Sequence, residues 1–244
     1  MFDISYDLHI HSCLSPCGDN AMTPANIAGM AAAKGLEAIA LTDHNAARNC
    51  GPFLEYCEAY GLIGIPGLEI NTIEEVHAVC LFRTLEAALD YDAFVYEHLQ
   101  KVQNNERIFG QQILMNDDEE EVGREPNLLI NATDISFDEV WSQVRERGGV
   151  MIPAHIDKDA NSLTANLGFI PPDSEFRTVE VKDLKKLHRV KGEHPFVSKC
   201  QVVSNSDAHY LDAIREPVLS LYVEEKSVDG IIDALLRGPF EEIR

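Results

Sequence analysis

The feature that most constrains the fold of this chain is the alternation of short apolar segments with helical segments. Apolar runs typical of buried strands lie at residues 4–9, 37–42, 62–66, 76–82, 150–154, 178–182, 200–204 and 218–223. Helical patterns fit residues 24–34, 52–60, 85–103, 136–147 and 228–237. Because strands that alternate with helices form parallel βα units, the pattern predicts an α/β fold. The 244 residues suit a single barrel-type domain spanning 1–244.

Residues 83–135 interrupt this alternation. A long helical pattern leads into FGQQILMNDDEEEVGREPNLLINATD, in which residues 117–121 are all acidic. Because like charges repel and hydrate, the acidic run indicates a solvated loop. We therefore expect 83–135 to be an insertion outside the barrel core that could act as a lid.

The charge balance restricts the partners. The chain has 20 basic and 41 acidic residues, a net charge of −21. Such a surface repels polyphosphate over a Debye length of about 8 Å, which argues against long nucleic acid as a partner. A small anion attracted by bound cations is compatible with the same charge.

The sequence gives less information about the cellular compartment and the oligomeric state. The start of the chain, MFDISYDLHIHS, has no secretory pattern, and no apolar run approaches the ~20 residues of a membrane span. The six cysteines fit free thiols in a reducing compartment. We expect a cytoplasmic protein that makes no membrane contact, and the sequence leaves its oligomeric state open.

Histidines and carboxylates collect at the ends of the predicted strands. His9 and His11 are two residues apart in DLHIHS, so both face the same side of a strand. The other candidates lie in or directly after later strands: Asp43, His44, Glu69, His77, His155, Asp207 and His209. Since the carboxyl ends of parallel barrel strands converge on one face, these side chains are expected to form an active site there.

These residue types favour a divalent transition metal. Imidazole and carboxylate ligands together suit Zn, Mn or Fe better than Ca or Mg. The number of candidates exceeds one tetrahedral shell of four ligands. The sequence therefore predicts two or three metals per chain with a bridging carboxylate. Such a cluster can lower the pKa of a bound water and hold the attacking and leaving oxygens of a hydrolysis.

The segments DLHIHS, ALTDHN, GLEIN with EEVHAV, PAH and SNSDAH resemble, in order, the metal-binding motifs of the PHP (polymerase and histidinol phosphatase) family. The resemblance spans residues 7 to 209. It implies a distorted (βα)7 TIM-like barrel, a trinuclear metal site and phosphoesterase activity through a metal-bound hydroxide.

The same resemblance implies a role for each ligand. The first metal would be held by His9, His11, Glu69 and Asp207. Glu69 would bridge to a second metal, which also takes His77 and His155. The third metal would take His44 and His209, while Asp43 would either ligate or orient His44.

One family position differs in this chain. The family has an Asp or His five or six residues after the second His of HxH, where this sequence has Pro16 and Cys17. We favour Asp19 as the residue that completes the third site, with Cys17 as its rival.

Basic residues near the motifs are candidates for binding phosphate oxygens. Lys158 follows PAHID, Arg48 follows TDHN, and Arg215 lies six residues after His209. With Asp43, Lys158 and Arg48 form the predicted catalytic set. The expected substrate is a small phosphorylated metabolite or a nucleotide. The alternatives are a metal-dependent amidohydrolase and a non-catalytic metal-binding regulatory or accessory protein.

Overall fold

The computed structural model describes residues 1–239, and its elements follow the predicted alternation. The strands are β1 Phe2–Ile10, β2 Ala38–Leu41, β3 Ile63–Asn71, β4 His77–Leu81, β5 Ile113–Met115, β6 Glu121–Arg124, β7 Val150–Pro153, β8 Thr178–Glu180, β9 Gln201–Val203 and β10 Ser220–Val223. The α-helices are α1 Pro24–Ala33, α2 Cys50–Tyr60, α3 Leu85–His98, α4 Glu106–Phe109, α5 Phe137–Glu146, α6 Leu163–Asn166, α7 Leu187–Glu193 and α8 Val228–Arg237. Short 3₁₀ helices occupy Leu184–Lys186, Pro195–Lys199 and Leu211–Ala213.

The main sheet has six strands in the order β10-β1-β2-β3-β4-β7. Strands β1, β2 and β3 are parallel, whereas β4 is antiparallel to both β3 and β7. The expectation of uniformly parallel strands is therefore wrong at β4, because β3 and β4 form a hairpin around residues 72–76 with no room for a crossover helix. Strand β7 again runs in the direction of β3.

Strands β8 and β9 form a parallel pair that closes the sheet into a barrel. The Ile156 amide donates to the Glu180 carbonyl (2.9 Å), which joins the end of β7 to β8. The His11 amide donates to the Ala208 carbonyl (3.0 Å), which joins the end of β1 to the segment after β9. The ring contains β1, β2, β3, β4, β7, β8 and β9, so the predicted distorted (βα)7 TIM-like barrel is confirmed.

A bulge in β1 decides which side chains face the barrel interior. Leu8 packs in the inner apolar cluster, whereas Ile10 packs in the outer cluster beneath the helices. Between Asp7 and Ile10, strand β1 has one residue more than its partner β2. An extra residue reverses the alternation of side chains, so His9 and His11 turn to the inner face above Leu8.

Helix α8 covers the amino-terminal end of the barrel. Its residues Ile231, Ile232 and Leu235 are fully buried in the inner cluster. The Thr178 hydroxyl at the start of β8 donates to the Leu235 carbonyl (2.7 Å). Because apolar side chains fill this end, the opposite rim, where the strands end, is the place left for a polar site.

The segment 83–135 divides into two parts. Helix α3 packs Tyr91 and Val95 into the outer core, so it belongs to the helical layer of the barrel. The remainder contains α4 and the β5–β6 hairpin, whose turn carries the acidic run. That turn is attached to the flank of the barrel, because the Tyr56 hydroxyl of α2 donates to the Asp117 carbonyl and the Ala25 amide of α1 donates to Glu119.

Two predicted helix starts are confirmed. The Thr23 hydroxyl accepts from the Asn26 amide at the start of α1, and Ser136 forms a capping box with Glu139 at the start of α5. Throughout residues 1–239, no helix has both the length and the apolar character that crossing a bilayer requires.

Candidate metal centre

The largest cavity described here, about 490 Å³, lies at the rim formed by the strand ends. Its lining includes Cys17, His44, Glu69, His77, His155, Lys158, Asp207 and His209. His155 lies two residues after β7 and Asp207 four residues after β9, and both strands run toward this rim. His77 reaches the same rim because it is the first residue of β4, which runs the other way.

Glu69 lies at the centre of the site and is only 1% exposed. Its Oε1 atom is 3.0 Å from Nδ1 of His77, 3.2 Å from Nε2 of His155 and 3.3 Å from Nε2 of His9. Its Oε2 atom is 3.0 Å from Nδ1 of His44. A single carboxylate therefore faces imidazoles from four different segments, the arrangement expected of a bridging ligand.

Asp207 has a different partner on each oxygen. Its Oδ1 atom is 3.4 Å from Nε2 of His11 and 3.6 Å from Nε2 of His9. Its Oδ2 atom accepts from the Nζ atoms of Lys158 (2.7 Å) and Lys182 (2.9 Å). The carboxylate thus joins the histidine cluster to two ammonium groups.

Buried polar atoms in the cluster lack hydrogen-bond partners. Nε2 of His77 and Nδ1 of His155 have no partner, and Nε2 of His9 lies 3.1 Å from Nε2 of His11. Leaving such atoms unsatisfied costs about 1–3 kcal/mol each, a cost that bound cations would remove. Candidate ligand triplets are His9/His11/Glu69, His44/Glu69/His77 and His11/His44/His209. These donors fit a group of transition-metal ions.

The electrostatics of the site keep its carboxylates ionised. Burial opposes the charged form of Glu69, but His77, His9 and His44 hold its pKa well below the usual range. The pKa of Asp207 is likewise lowered, against the effect of burial, chiefly by His9. Both carboxylates are therefore in the anionic form in which such residues bind metals.

Glu180 at the end of β8 supports the cluster from below. Its carboxylate lies 3.0 and 3.1 Å from Nδ1 of His9 and accepts from the His155 amide (2.8 Å) and the Asn205 side chain (2.7 Å). The contact with Nδ1 fixes the ring of His9 so that Nε2 faces Glu69. In the sequence, the feature that could have indicated this role is an ionisable residue between the two valines of TVEVK.

Asp43 does not line the cavity and contacts neighbouring serine residues instead. Its oxygens accept from the Ser12 amide (2.7 Å) and hydroxyl (2.6 Å) and from the Ser15 hydroxyl (2.7 Å). Ser15 Oγ in turn lies 3.0 Å from Nδ1 of His11. Asp43 therefore positions His11 through Ser15, which corrects the expectation that it ligates a metal or orients His44.

The structure brings Lys158 into the site but not Arg48. The Arg48 guanidinium pairs with Asp92 (3.3 Å) and with Glu125, outside the cavity. Arg215 likewise bonds elsewhere, to Ser204 and Asn205. Lys182, which sequence reasoning missed, donates to Asp207 next to Lys158.

The rim loop presents Cys17 rather than Asp19. Asp19 is exposed, and its carboxylate accepts from the Ala21 amide (2.8 Å) within its own turn. Cys17 lines the cavity together with His44 and His209. Which of the two residues completes the third site stays a prediction.

Two of the candidate ligands occupy left-handed backbone conformations. His155 has φ 30° and Asp207 has φ 51°, where side chains other than glycine cost about 1–3 kcal/mol. His155 lies in the segment after β7, and Asp207 lies in the segment after β9. The turn at each position directs the side chain into the cavity, which is the usual place for such strain.

A barrel with a histidine–carboxylate cluster at its carboxyl rim is an architecture of metal-dependent hydrolases. The sequence matches the PHP domain over residues 7–233, and the chain belongs to that family. No curated protein matches it.

Solved structures share the fold. The lesion-specific endonuclease Q of Pyrococcus furiosus is 19% identical with a TM-score of 0.64, and the match covers 97% of this chain but 56% of the endonuclease. A proposed metal-dependent phosphoesterase of Bifidobacterium adolescentis is 18% identical with a TM-score of 0.62, covering 98% and 97% of the two chains. An amidohydrolase of Chromobacterium violaceum is 16% identical with a TM-score of 0.60, covering 91% and 93%.

The cluster predicts the metal content of the purified protein. We expect more than one equivalent of Zn, Mn or Fe per chain, because the triplets of candidate ligands share Glu69, His11 and His44 between positions. Elemental analysis of protein prepared without chelator measures this directly. Reconstitution with a single metal or none would contradict a polynuclear centre.

The position of Glu69 predicts the effect of removing its charge. Glu69→Gln and Asp207→Asn should each lower metal content and reduce hydrolysis by more than about 100-fold, because an amide cannot neutralise two cations. Circular dichroism should remain that of the folded protein, since the apolar core lies below the site.

The matched control is Glu125→Gln, which alters a carboxylate that is 4% exposed and pairs with Arg48 outside the cavity. It should keep its metals. Full metal content and full turnover in Glu69→Gln would exclude Glu69 from the centre.

Proposed function

We propose that this protein is a metal-dependent phosphoesterase that hydrolyses small phosphorylated metabolites or nucleotides. The observation that carries the proposal is the convergence of Lys158 and Lys182 on Oδ2 of Asp207 at the edge of the cluster. Two cations beside a metal centre suit the non-bridging oxygens of a phosphoester. A neutral amide carbonyl would not need them, which favours phosphoester over amide hydrolysis.

Each group in the site has a chemical task in this reaction. When bound, the metal ions would supply Lewis acidity and a nucleophile of lowered pKa. Glu69, Asp207 and the histidines would hold those ions. Although desolvation disfavours its charge, Lys158 has a raised pKa because Asp207 lies beside it, so its ammonium group stays charged. The complete set of candidate ligands supports catalysis over a purely regulatory role.

A second cavity adjoins the first and offers room for an organic leaving group. It has a volume of about 370 Å³ and shares Cys17 and Ile130 with the metal cavity. Its other lining residues include Ile108, Phe109 and Tyr210, all exposed. Apolar and aromatic faces next to a phosphate site suit a nucleoside. Ile130, Ile108 and Phe109 come from the segment 83–135, which would then border the substrate.

Nucleic acid is the second candidate substrate. Endonuclease Q acts on DNA, and one of its structures contains a duplex with an abasic lesion, which counts against a strict exclusion of nucleic acid. The acidic run 117–121 lies on the flank and does not line the metal cavity. The net charge of −21 still disfavours a long polyanion, since polymer binding uses a basic track.

A substrate competition distinguishes these candidates. At about 0.15 M salt the metal-loaded protein should hydrolyse nucleoside monophosphates or bisphosphates, or another small phosphoester of a broad panel, with higher kcat/KM than a long single strand. A parallel panel of amides should show no turnover. Processive degradation of the strand at much higher kcat/KM would overturn the small-substrate assignment.

The lysines predict a selective loss of activity. Lys158→Met and Lys182→Met should each lower kcat/KM for a phosphoester by roughly 10- to 100-fold, because each removes a charged contact to the phosphate. Lys186→Met is the matched control, since Lys186 is equally exposed at 38% but donates to the Asp157 carbonyl. Metal content should stay unchanged in all three. Normal kcat/KM in both lysine variants would remove the basis of the proposal.

A further inference from the structure

The loop that follows β1 directs one thiol into the metal centre. Cys17 lines the rim cavity together with His44 and His209. Among the six cysteines, all within residues 1–239, it is the exposed one, while the other five are buried. Its position thus differs from that of thiols that only fill space in a core.

The conformation of this loop leaves no room for a side chain at Gly18. The Gly18 amide donates to the Ser15 carbonyl (2.9 Å), and a Cβ atom at Gly18 would lie 2.3 Å from the Ser12 carbonyl oxygen. The Asp19 amide donates to the His209 carbonyl (2.9 Å). These contacts fix the turn so that Cys17 faces the cavity while the carboxylate of Asp19 points to its own turn.

Two imidazoles of a candidate ligand triplet line the same cavity as the thiol. One nitrogen each of His11, His44 and His209 lies within 4.8 Å of the others. His44 is only 3% exposed, and its Nδ1 atom already lies 3.0 Å from Oε2 of Glu69. Three imidazoles make a position that lacks a fourth donor.

We propose that the thiolate of Cys17 is this donor, so that the third metal of the centre is bound by sulfur and imidazole together. Metal binding would displace the thiol proton to solvent and form the metal–sulfur bond. A soft sulfur ligand selects Zn²⁺, Fe²⁺ or Co²⁺ over Mn²⁺ and Mg²⁺ at this position.

The inference rests on the metal centre of the proposed function but not on which ester is hydrolysed. Under this proposal, the metal preference of the third position depends on which residue the loop has at position 17. A carboxylate in the place of Cys17 would keep a metal there but shift the preference toward harder ions.

Cobalt is a direct probe of sulfur ligation. Metal-free protein titrated with Co²⁺ should develop a near-ultraviolet sulfur-to-cobalt charge-transfer band with the equivalent that fills the third position. Cys17→Ser should lose the band and about one equivalent of metal, and Cys17→Asp should lose the band but keep the equivalent. Asp19→Asn and Cys200→Ser are the controls and should match the unaltered protein.

Alkylation provides a second readout that does not depend on activity. Iodoacetamide should label Cys17 in the metal-free protein, and Zn²⁺ should suppress the labelling in proportion to its occupancy of the third position. Mass spectrometry of the peptide containing residues 12–20 measures this.

The outcomes separate the two hypotheses. Protein that binds several equivalents of cobalt without the band, or with Cys17 equally labelled at full occupancy, overturns the thiolate ligand alone. Protein that binds no cobalt overturns the metal centre and the thiolate ligand together. Loss of one equivalent of metal in Asp19→Asn but not in Cys17→Ser would return the third position to Asp19.

Discussion

The structure depends on one constraint, the burial of the Glu69 carboxylate among imidazoles from separate strands. A buried charge without partners is expensive, and buried imidazoles without partners are costly too. Contacts of 3.0–3.3 Å to His9, His44, His77 and His155 let each group compensate the other. The barrel must therefore bring distant strand ends to within one side-chain length of each other, and its closure, the reversal of β4 and the bulge in β1 all serve that placement.

Stability and chemistry occupy opposite ends of the same barrel. The amino-terminal end is filled by apolar side chains and covered by α8, whereas the carboxyl rim contains the cluster and its left-handed residues His155 and Asp207. Below the metal ligands, Glu180 and Asp43 hold His9 and, through Ser15, His11 in position. The apolar end of the barrel thus provides the stability that offsets the cost of burying charged and strained residues at the rim.

The rim loops supply several groups of the site. Lys158 follows β7 and Lys182 follows β8, and both reach Asp207 from neighbouring loops. Cys17 comes from the loop after β1, and Ile130 from the segment 83–135. Strands β1, β3 and β4 supply His9, Glu69 and His77, while the segments after the strands supply the other candidate ligands and the groups that would select metal and substrate.

The sequence by itself determined the barrel class, the strand positions and most of the histidine and carboxylate set, because apolar period and motif spacing are local properties of the chain. Local pattern did not reveal the reversed β4, Glu180 or Lys182, nor the displacement of Arg48 to Asp92 and Glu125. Those depend on which segments meet across the barrel. Cys17 lines the cavity and Asp19 does not because of the turn at residues 15–19. That turn is fixed by contacts of Gly18 with Ser12 and of Asp19 with His209, which are six or more positions away. Only the tertiary structure could therefore decide which of the two side chains faces the cavity.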